Sequence, residues 1–451
     1  MNDWVDVLRQ IQAFVWGPPT MLLLLATGAY FTVRLRLLQF TRLPMALRYI
    51  FEKEDGEGDV SAFASLCTAL AATIGTGSIV GVATALRVGG PGALFWMWVS
   101  GLLGMVTKYA EGLLAIKYRT VDENGQIAGG PMYYIQHGLG DRWKWLAKLF
   151  AFFGVFTALL GCGTFPQVNA ITESTSAAFG IPIPLIGAAV TIAVAAVILG
   201  GLKSISQVAE FIVPFMAIFY VIGSVIALVV TADAIPASLA LIVESAFSPS
   251  AVAGGAGGTV MISVMTAMRT GIARGVYTNE AGLGSSPIVS AAAKTKSCVR
   301  QGLISMTSVF FTTIIICTMT GLVIIASGLL ETSALDGGLL SNAAYNMHLP
   351  WNTGLYIVTA GLMFFSFTTI IGWNYYGERC LVYLTDGVKF IMPYKIVFLA
   401  FVAVSPYLSI RPIWYLADIT NACMAFPNLV GLLGLSSVVI SETKAYFGHG
   451  S

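Results

Sequence analysis

Residues 71–85 read AATIGTGSIVGVATA. Gly75, Gly77 and Gly81 alternate there with Thr73, Thr76 and Ser78, inside an uncharged run from 60 to 86. A run of about 20 apolar residues is long enough to cross a bilayer as a helix. Each glycine weakens a helix by about 1 kcal/mol relative to alanine, and the neighbouring hydroxyls compete for backbone groups. The stretch therefore predicts a membrane helix that unwinds partway. Unwound backbone survives at membrane depth only where it is buried in protein or lines a cavity. At such a break the first half-helix ends in free carbonyls and the second begins in free N–H groups. Carbonyls from Ala71 to Ile74 then suit a hard cation, and N–H groups around Thr76, Gly77 and Ser78 suit a carboxylate.

The surrounding chain has the composition of a membrane protein. Of its 451 residues, 57% are hydrophobic and 10% are charged, where soluble domains carry about a quarter charged. The formal net charge of +2 is spread between apolar runs and argues against nucleic-acid partners. Six cysteines stand far apart with no CxxC pair, which predicts small apolar packers. Charge-poor runs at about 10–33, 60–86, 88–107, 149–172, 174–202, 211–232, 245–268, 301–330, 352–377, 390–410 and 412–441 predict about eleven membrane helices. The stretch 39–52, with Arg42 and Arg48 among apolar residues, reads as an interfacial amphipathic helix. Lys and Arg fall in alternate loops, at Arg34–Lys53, Lys117–Lys148, Lys203, Arg274–Arg300 and Arg379–Lys389. That alternation puts the N-terminus outside and the C-terminus in the cytoplasm, the parity that eleven spans require.

A second stretch repeats the signature of the first. Residues 257–287, GGTVMISVMTAMRTGIARGVYTNEAGLGSSP, run from Gly257 through Gly271 and Gly275 to Pro287. The two stretches lie in the second and seventh runs, five runs apart. With the first run set aside, ten remain in two sets of five, each opening on an interrupted helix and inverted relative to the other. That pattern is the sequence pointer to a transporter's binding site. It divides the chain into residues 1–59, an extra helix and cytoplasmic linker, then 60–240 and 241–451, the two repeats. Close packing of the small-xxx-small kind is the alternative use of Gly77 and Gly81. No Asp, Glu, Lys, Arg or His lies at 71–83, which favours sodium over proton coupling, because a proton relay needs a titratable group deep in the bundle. Lys108 and Glu111, three apart in the third run, read as a structural ion pair.

The segment ATIGTGSIVGVATA, followed by GGPGALFWMWVSGLLGMVTKYAEGLLAIKYR, AGGPMYY, GVYTNEAGLGSSP and TTIIGWNYYGERC, resembles the alanine or glycine:cation symporter family over nearly the whole chain. The resemblance implies an all-α integral membrane protein with a LeuT-like five-plus-five inverted repeat. It implies sodium-driven import of alanine or glycine by alternating access in the prokaryotic inner membrane. Sodium is the implied coupling ion, with no organic cofactor, no nucleic acid and no obligate protein partner. By this resemblance Thr76 and Gly77 contact the substrate carboxylate and Gln167 hydrogen-bonds substrate. Thr369 supplies a hydroxyl and Trp373 an aromatic wall, while Gly271 and Gly275 mark the second break. The Ala71 and Ile74 carbonyls with the Thr368 and Thr369 hydroxyls resemble the family fold's sodium site. Ser78 departs from the family's usual asparagine, which bears on selectivity. A channel would need a filter ring, and an enzyme would need a nucleophile, paired carboxylates or a metal set. The chain shows neither pattern, and its Gly-rich segments lack the phosphate-loop spacing.

Overall fold

The computed structural model describes residues 3–52, 54–253, 259–408 and 410–448. The N-terminal run is two helices, α1 (Asp3–Val15) and α2 (Pro18–Arg34). They part at Gly17, where an added Cβ would lie 2.7 Å from the Phe14 carbonyl, and Pro18 opens the second helix in the position that needs no N–H. The 39–52 stretch, expected as one amphipathic helix, is two short pieces, α3 (Leu38–Thr41) and α4 (Leu43–Tyr49). Pro44, in the first turn of α4, starts a helix more readily than it continues one.

The second run is broken as its composition predicts, into α5 (Ala62–Thr73) and α6 (Val80–Gly89). Ser61 opens α5 as an N-cap, its hydroxyl accepting from Ala64 N. Next comes α7 (Gly92–Lys117), then a small hairpin of β1 (Thr120–Val121) and β2 (Ile127–Ala128), then α8 (Pro131–Leu139). The run 149–172, expected as one span, is two helices, α9 (Lys144–Leu160) and α10 (Phe165–Phe179). The interruption falls at GCGTFP, residues 161–166. A Cβ on Gly163 would lie 2.3 Å from the Ala158 carbonyl, so only glycine lets the chain turn there.

After α11 (Ile183–Ile198) and α12 (Gly201–Val230) comes α13 (Ile235–Phe247). The repeat boundary expected at 240/241 falls inside α13. The run 245–268 is not a span either: it holds the end of α13, a hairpin of β3 (Ser250–Ala253) and β4 (Thr259–Ile262), and the start of α14 (Val264–Asn279). Gly257, where the second glycine-rich stretch begins, lies outside the described residues. The remaining elements are α15 (Ser286–Ser290), α16 (Cys298–Val309), a π-helical stretch (Phe310–Cys317), α17 (Thr318–Ala326), α18 (Leu329–Thr332), α19 (Gly337–His348), α20 (Thr353–Thr385), α21 (Ile391–Val404), α22 (Ile410–Gly434) and α23 (Ser436–Gly448).

Seven helical stretches among the described residues are long and apolar enough to cross a membrane, and four shorter helices are comparably apolar. The burial pattern fits a lipid solvent. On α12 the large side chains Phe211, Phe215, Ile218, Ile222 and Val229 are all more than half exposed, at helical spacing along one stripe. Polar residues take the inside: Thr68, Lys108, Glu111, Gln167, Asn279, Glu280, Asn374 and Asn428 are all buried. Helix α7 packs on α14 and α16, while α20 packs on α9, α10 and α12 and reaches across to α5. The far ends of the two interrupted helices are tied together: Asp59 and Val60 N–H donate to Ala292 O, and Lys294 N–H returns to Val60 O.

Candidate functional site

The first break is set by local chemistry. Helix α5 stops because Ile74 turns to ψ 83° and Gly75 is extended; a single 3-10 turn, Thr76–Ser78, then leads into α6. Two of its glycines are required for different reasons. A Cβ on Gly75 would sit 2.5 Å from Thr369 Oγ1 and 3.2 Å from Gln167 Oε1. A Cβ on Gly77 would sit 2.9 Å from Thr278 Oγ1 and 3.1 Å from Tyr277 Cδ1, at the end of α14. Gly81 is different, since its Cβ would find nothing nearer than 3.9 Å. The small-residue packing alternative for the Gly77/Gly81 pair therefore fails at Gly81.

Three elements converge on this backbone. Gln167, at the start of α10 just past the GCGTFP turn, accepts at Oε1 from Thr76 N at 3.2 Å. Thr369 of α20 lies with its Oγ1 3.0 Å from the Ala71 carbonyl and 2.9 Å from the Phe365 carbonyl. A hydroxyl has one proton to donate, so these three oxygens cluster with more acceptor capacity than donors. Thr368 turns elsewhere: its hydroxyl donates to Phe365 O at 3.0 Å and lies 3.7 Å from the Met216 sulfur of α12. The Thr76 hydroxyl is buried and has no protein partner among the described residues.

The second break lies further along than its glycine pattern suggested. Gly271 and Gly275 do not mark it; both sit inside the unbroken helix α14. Their missing side chains let α14 press on α7: a Cβ on Gly271 would lie 2.3 Å from Ala93 O, and one on Gly275 would lie 2.2 Å from Ser100 Oγ. Here the small-xxx-small reading is the correct one. The interruption comes after Asn279, where Glu280, Gly282 and Gly284 take φ of 55°, 86° and 79° before α15 begins. Only NEAGLGSSP, with glycines five and three residues ahead of a proline, carried that signal in the sequence. We therefore expect Gly271→Ala to cost about 1–3 kcal/mol of stability by overpacking. It should lower the melting temperature in detergent and leave the alanine affinity of the folded fraction unchanged. A normal melting temperature with lost affinity would return Gly271 to the site.

Lys108 and Glu111 are not paired with each other; both serve this second break. Lys108 Nζ donates to Asn279 O at 3.0 Å, capping the carbonyl end of α14. Glu111 Oε1 accepts from Gly282 N at 3.0 Å, Gly284 N at 3.2 Å and Asn428 Nδ2 at 2.6 Å. A cation sits on free carbonyls and an anion on free N–H groups, as the exposed ends of a broken helix demand. Titratable groups thus do lie deep in the bundle, at the second break rather than the first. Trp373 stands one turn beyond Thr369 on α20, but it meets this other break: its Nε1 donates to Glu280 Oε1 at 3.0 Å. One face of α20 touches both interruptions, Thr369 at the first and Trp373 at the second. Gly77 against Thr278 brings the two breaks into contact.

The profile of the sodium:alanine symporter family matches residues 1–450. The chain belongs to that family. It is a membrane transporter of the symporter class and not an enzyme. The sodium/alanine symporter AgcS of Methanococcus maripaludis is 48% identical, over 98% of this chain and 97% of that protein. An uncharacterized transporter of Haemophilus influenzae is 53% identical, over 98% and 96%. A probable sodium/glutamine symporter of Bacillus subtilis, GlnT, is 35% identical, over 96% and 88%. Among solved structures, a manganese transporter of Eremococcus coleocola in complex with an aromatic bis-isothiourea compound has a TM-score of 0.52 at 13% identity, over 84% of this chain and 78% of that one. At that identity the likeness is one of fold alone.

Proposed function

We propose that this transporter imports alanine and glycine with sodium, by alternating access around the first break. In this reading eleven helices cross the membrane, with the N-terminus outside and the C-terminus in the cytoplasm. Helices α1 and α2 form one added span ahead of two inverted sets of five, each opening on an interrupted helix. The substrate carboxylate meets the N–H groups of Thr76 and Gly77 and the side chain of Gln167. Thr369 and Trp373 bound the rest of the pocket. Sodium takes the carbonyls of Ala71 and Ile74 with the hydroxyls of Thr368 and Thr369; a hard cation prefers such oxygen ligands.

The observation that carries this reading is the convergence of Ala71 O, Thr369 Oγ1, Gln167 Oε1 and Thr76 N on one stretch of unwound backbone. Acceptor oxygens in excess suit a cation, and the Thr76 N–H, which donates to Gln167 Oε1 here, is the donor that a substrate carboxylate would take over. A proton-coupled carrier of the same fold is the second reading, because Glu111 and Glu280 are buried beside the second break. Uptake of labelled alanine and glycine into proteoliposomes, with sodium, potassium and proton gradients imposed separately, decides between them. Accumulation should follow the sodium gradient alone. Accumulation driven by a proton gradient in sodium-free buffer would move the coupling to the carboxylates.

A further inference from the structure

Glu280 is the residue at which α14 ends, and it does so in the left-handed region, with φ 55° and ψ 17°. A side chain as long as Glu adopts that conformation seldom, and only where its surroundings hold it. Both carboxylate oxygens are engaged. Oε1 accepts from the indole Nε1 of Trp373 at 3.0 Å, and Oε2 accepts from the Ser285 hydroxyl across the break. Glu280 is 2% exposed and Trp373 is 1% exposed. Lys108 of α7 is seated on the carbonyl of Asn279, the residue just before Glu280.

The indole itself is fixed at two points. Its Cβ lies where Gly163 leaves room, 2.9 Å from the position a Cβ there would occupy. Its Nε1 is held by the carboxylate. Between these points the ring stands edge-to-face on Tyr376, at 5.4 Å between centroids and 74° between planes. Ring contacts tolerate sliding, whereas a hydrogen bond from the indole N–H to a buried carboxyl oxygen is directional. Removing it frees the indole to take other rotamers.

We propose that Glu280 is a positioning residue for substrate selectivity: it holds the Trp373 indole in place, so that the second break sets the size limit of the pocket. This rests on Trp373 being a pocket wall. Any movement of the 280–285 segment is then passed directly to that wall.

The test uses the full chain labelled with 5-fluorotryptophan in lipid nanodiscs. The chain has nine tryptophans, and the resonance missing from Trp373→Phe identifies the one of interest. In Glu280→Ala that resonance should shift or broaden. Valine should compete with alanine about tenfold better, the scale of one pocket methylene, as it should in Trp373→Phe. The double variant should go no further than either single one. Glu280→Gln keeps an oxygen that accepts from the indole, and should restore both the wild-type resonance and the wild-type weakness of valine against alanine. Should Glu280→Ala fail to fold, Ser285→Ala releases one of the two carboxylate oxygens and should shift the same resonance by less. An unmoved Trp373 resonance in these variants overturns the proposal. A moved resonance with no change of competition in Trp373→Phe also overturns it, and shows that the wall role failed rather than the contact.

Discussion

Gly75→Ala should abolish alanine uptake at ordinary substrate concentrations, while Gly81→Ala, six residues on, should leave it near normal. The added methyl at Gly75 would lie 2.5 Å from Thr369 Oγ1 and 3.2 Å from Gln167 Oε1. Those are the two side chains that face Gly75, and neither can retreat without giving up a buried hydrogen bond. Overpacking of this kind costs about 1–3 kcal/mol, or roughly 5- to 150-fold in affinity. Alanine also favours continuing the helix by about 1 kcal/mol over glycine, which works against the break itself. At Gly81 the nearest atom is 3.9 Å from the added carbon, and a methyl in open space stays within about 0.5 kcal/mol. Isothermal titration of alanine into both purified variants, each checked for folding by size-exclusion profile, measures the contrast. Equal affinities for the two variants would show that the break is packing and not a binding surface.

The second large effect should come from one hydroxyl. Thr369→Val keeps the side chain's shape and removes the oxygen that stands 3.0 Å from Ala71 O and 2.9 Å from Phe365 O. The carbonyl of Ala71 is then left buried beside a methyl, at a cost of about 1–3 kcal/mol. A cation bound there loses a ligand. The sodium concentration for half-maximal uptake should rise about tenfold or more, equivalent to about 1.4 kcal/mol. Uptake at saturating sodium should recover most of its maximum. Thr368→Val should act more weakly, since that hydroxyl faces Phe365 O and the Met216 sulfur rather than Ala71. Uptake measured against a sodium series for the two single variants and the double one checks this. An unaltered sodium curve in the double variant would remove both hydroxyls from the cation site.

How far the site was legible follows from the range of each signal. The first break could be read directly, because glycines and hydroxyls crowded into an apolar run act on their own helix. Gln167 came from the family resemblance, yet a local cue stood beside it. GCGTFP, at 161–166, holds two glycines and a proline, and it turns the chain just before that residue. That interruption was hidden by its apolar neighbours, which made 149–172 look like one continuous span.

Elsewhere the residues alone were ambiguous. Glycine looks the same in sequence whether it admits a neighbouring helix or lets the backbone turn left-handed. Gly271 and Gly275 do the first against α7, while Gly282 and Gly284 do the second. Lys108 and Glu111 are three apart, which suggests a pair, but in a lipid-facing bundle the free ends of a broken helix attract charge more strongly than a neighbour on the same helix does. Each therefore turns to α14 and the segment after it. Thr369 and Trp373 both came from the family resemblance, and the single helical turn between them puts them on one face of α20 without showing which break each one meets. The sequence by itself thus determined the membrane class and the first unwound segment, both consequences of composition and nearby spacing, while the family came from the resemblance of long motifs. Only the tertiary structure decided that Thr369 serves one break and Trp373 the other, because that depends on which distant backbone ends free groups at the depth each side chain reaches.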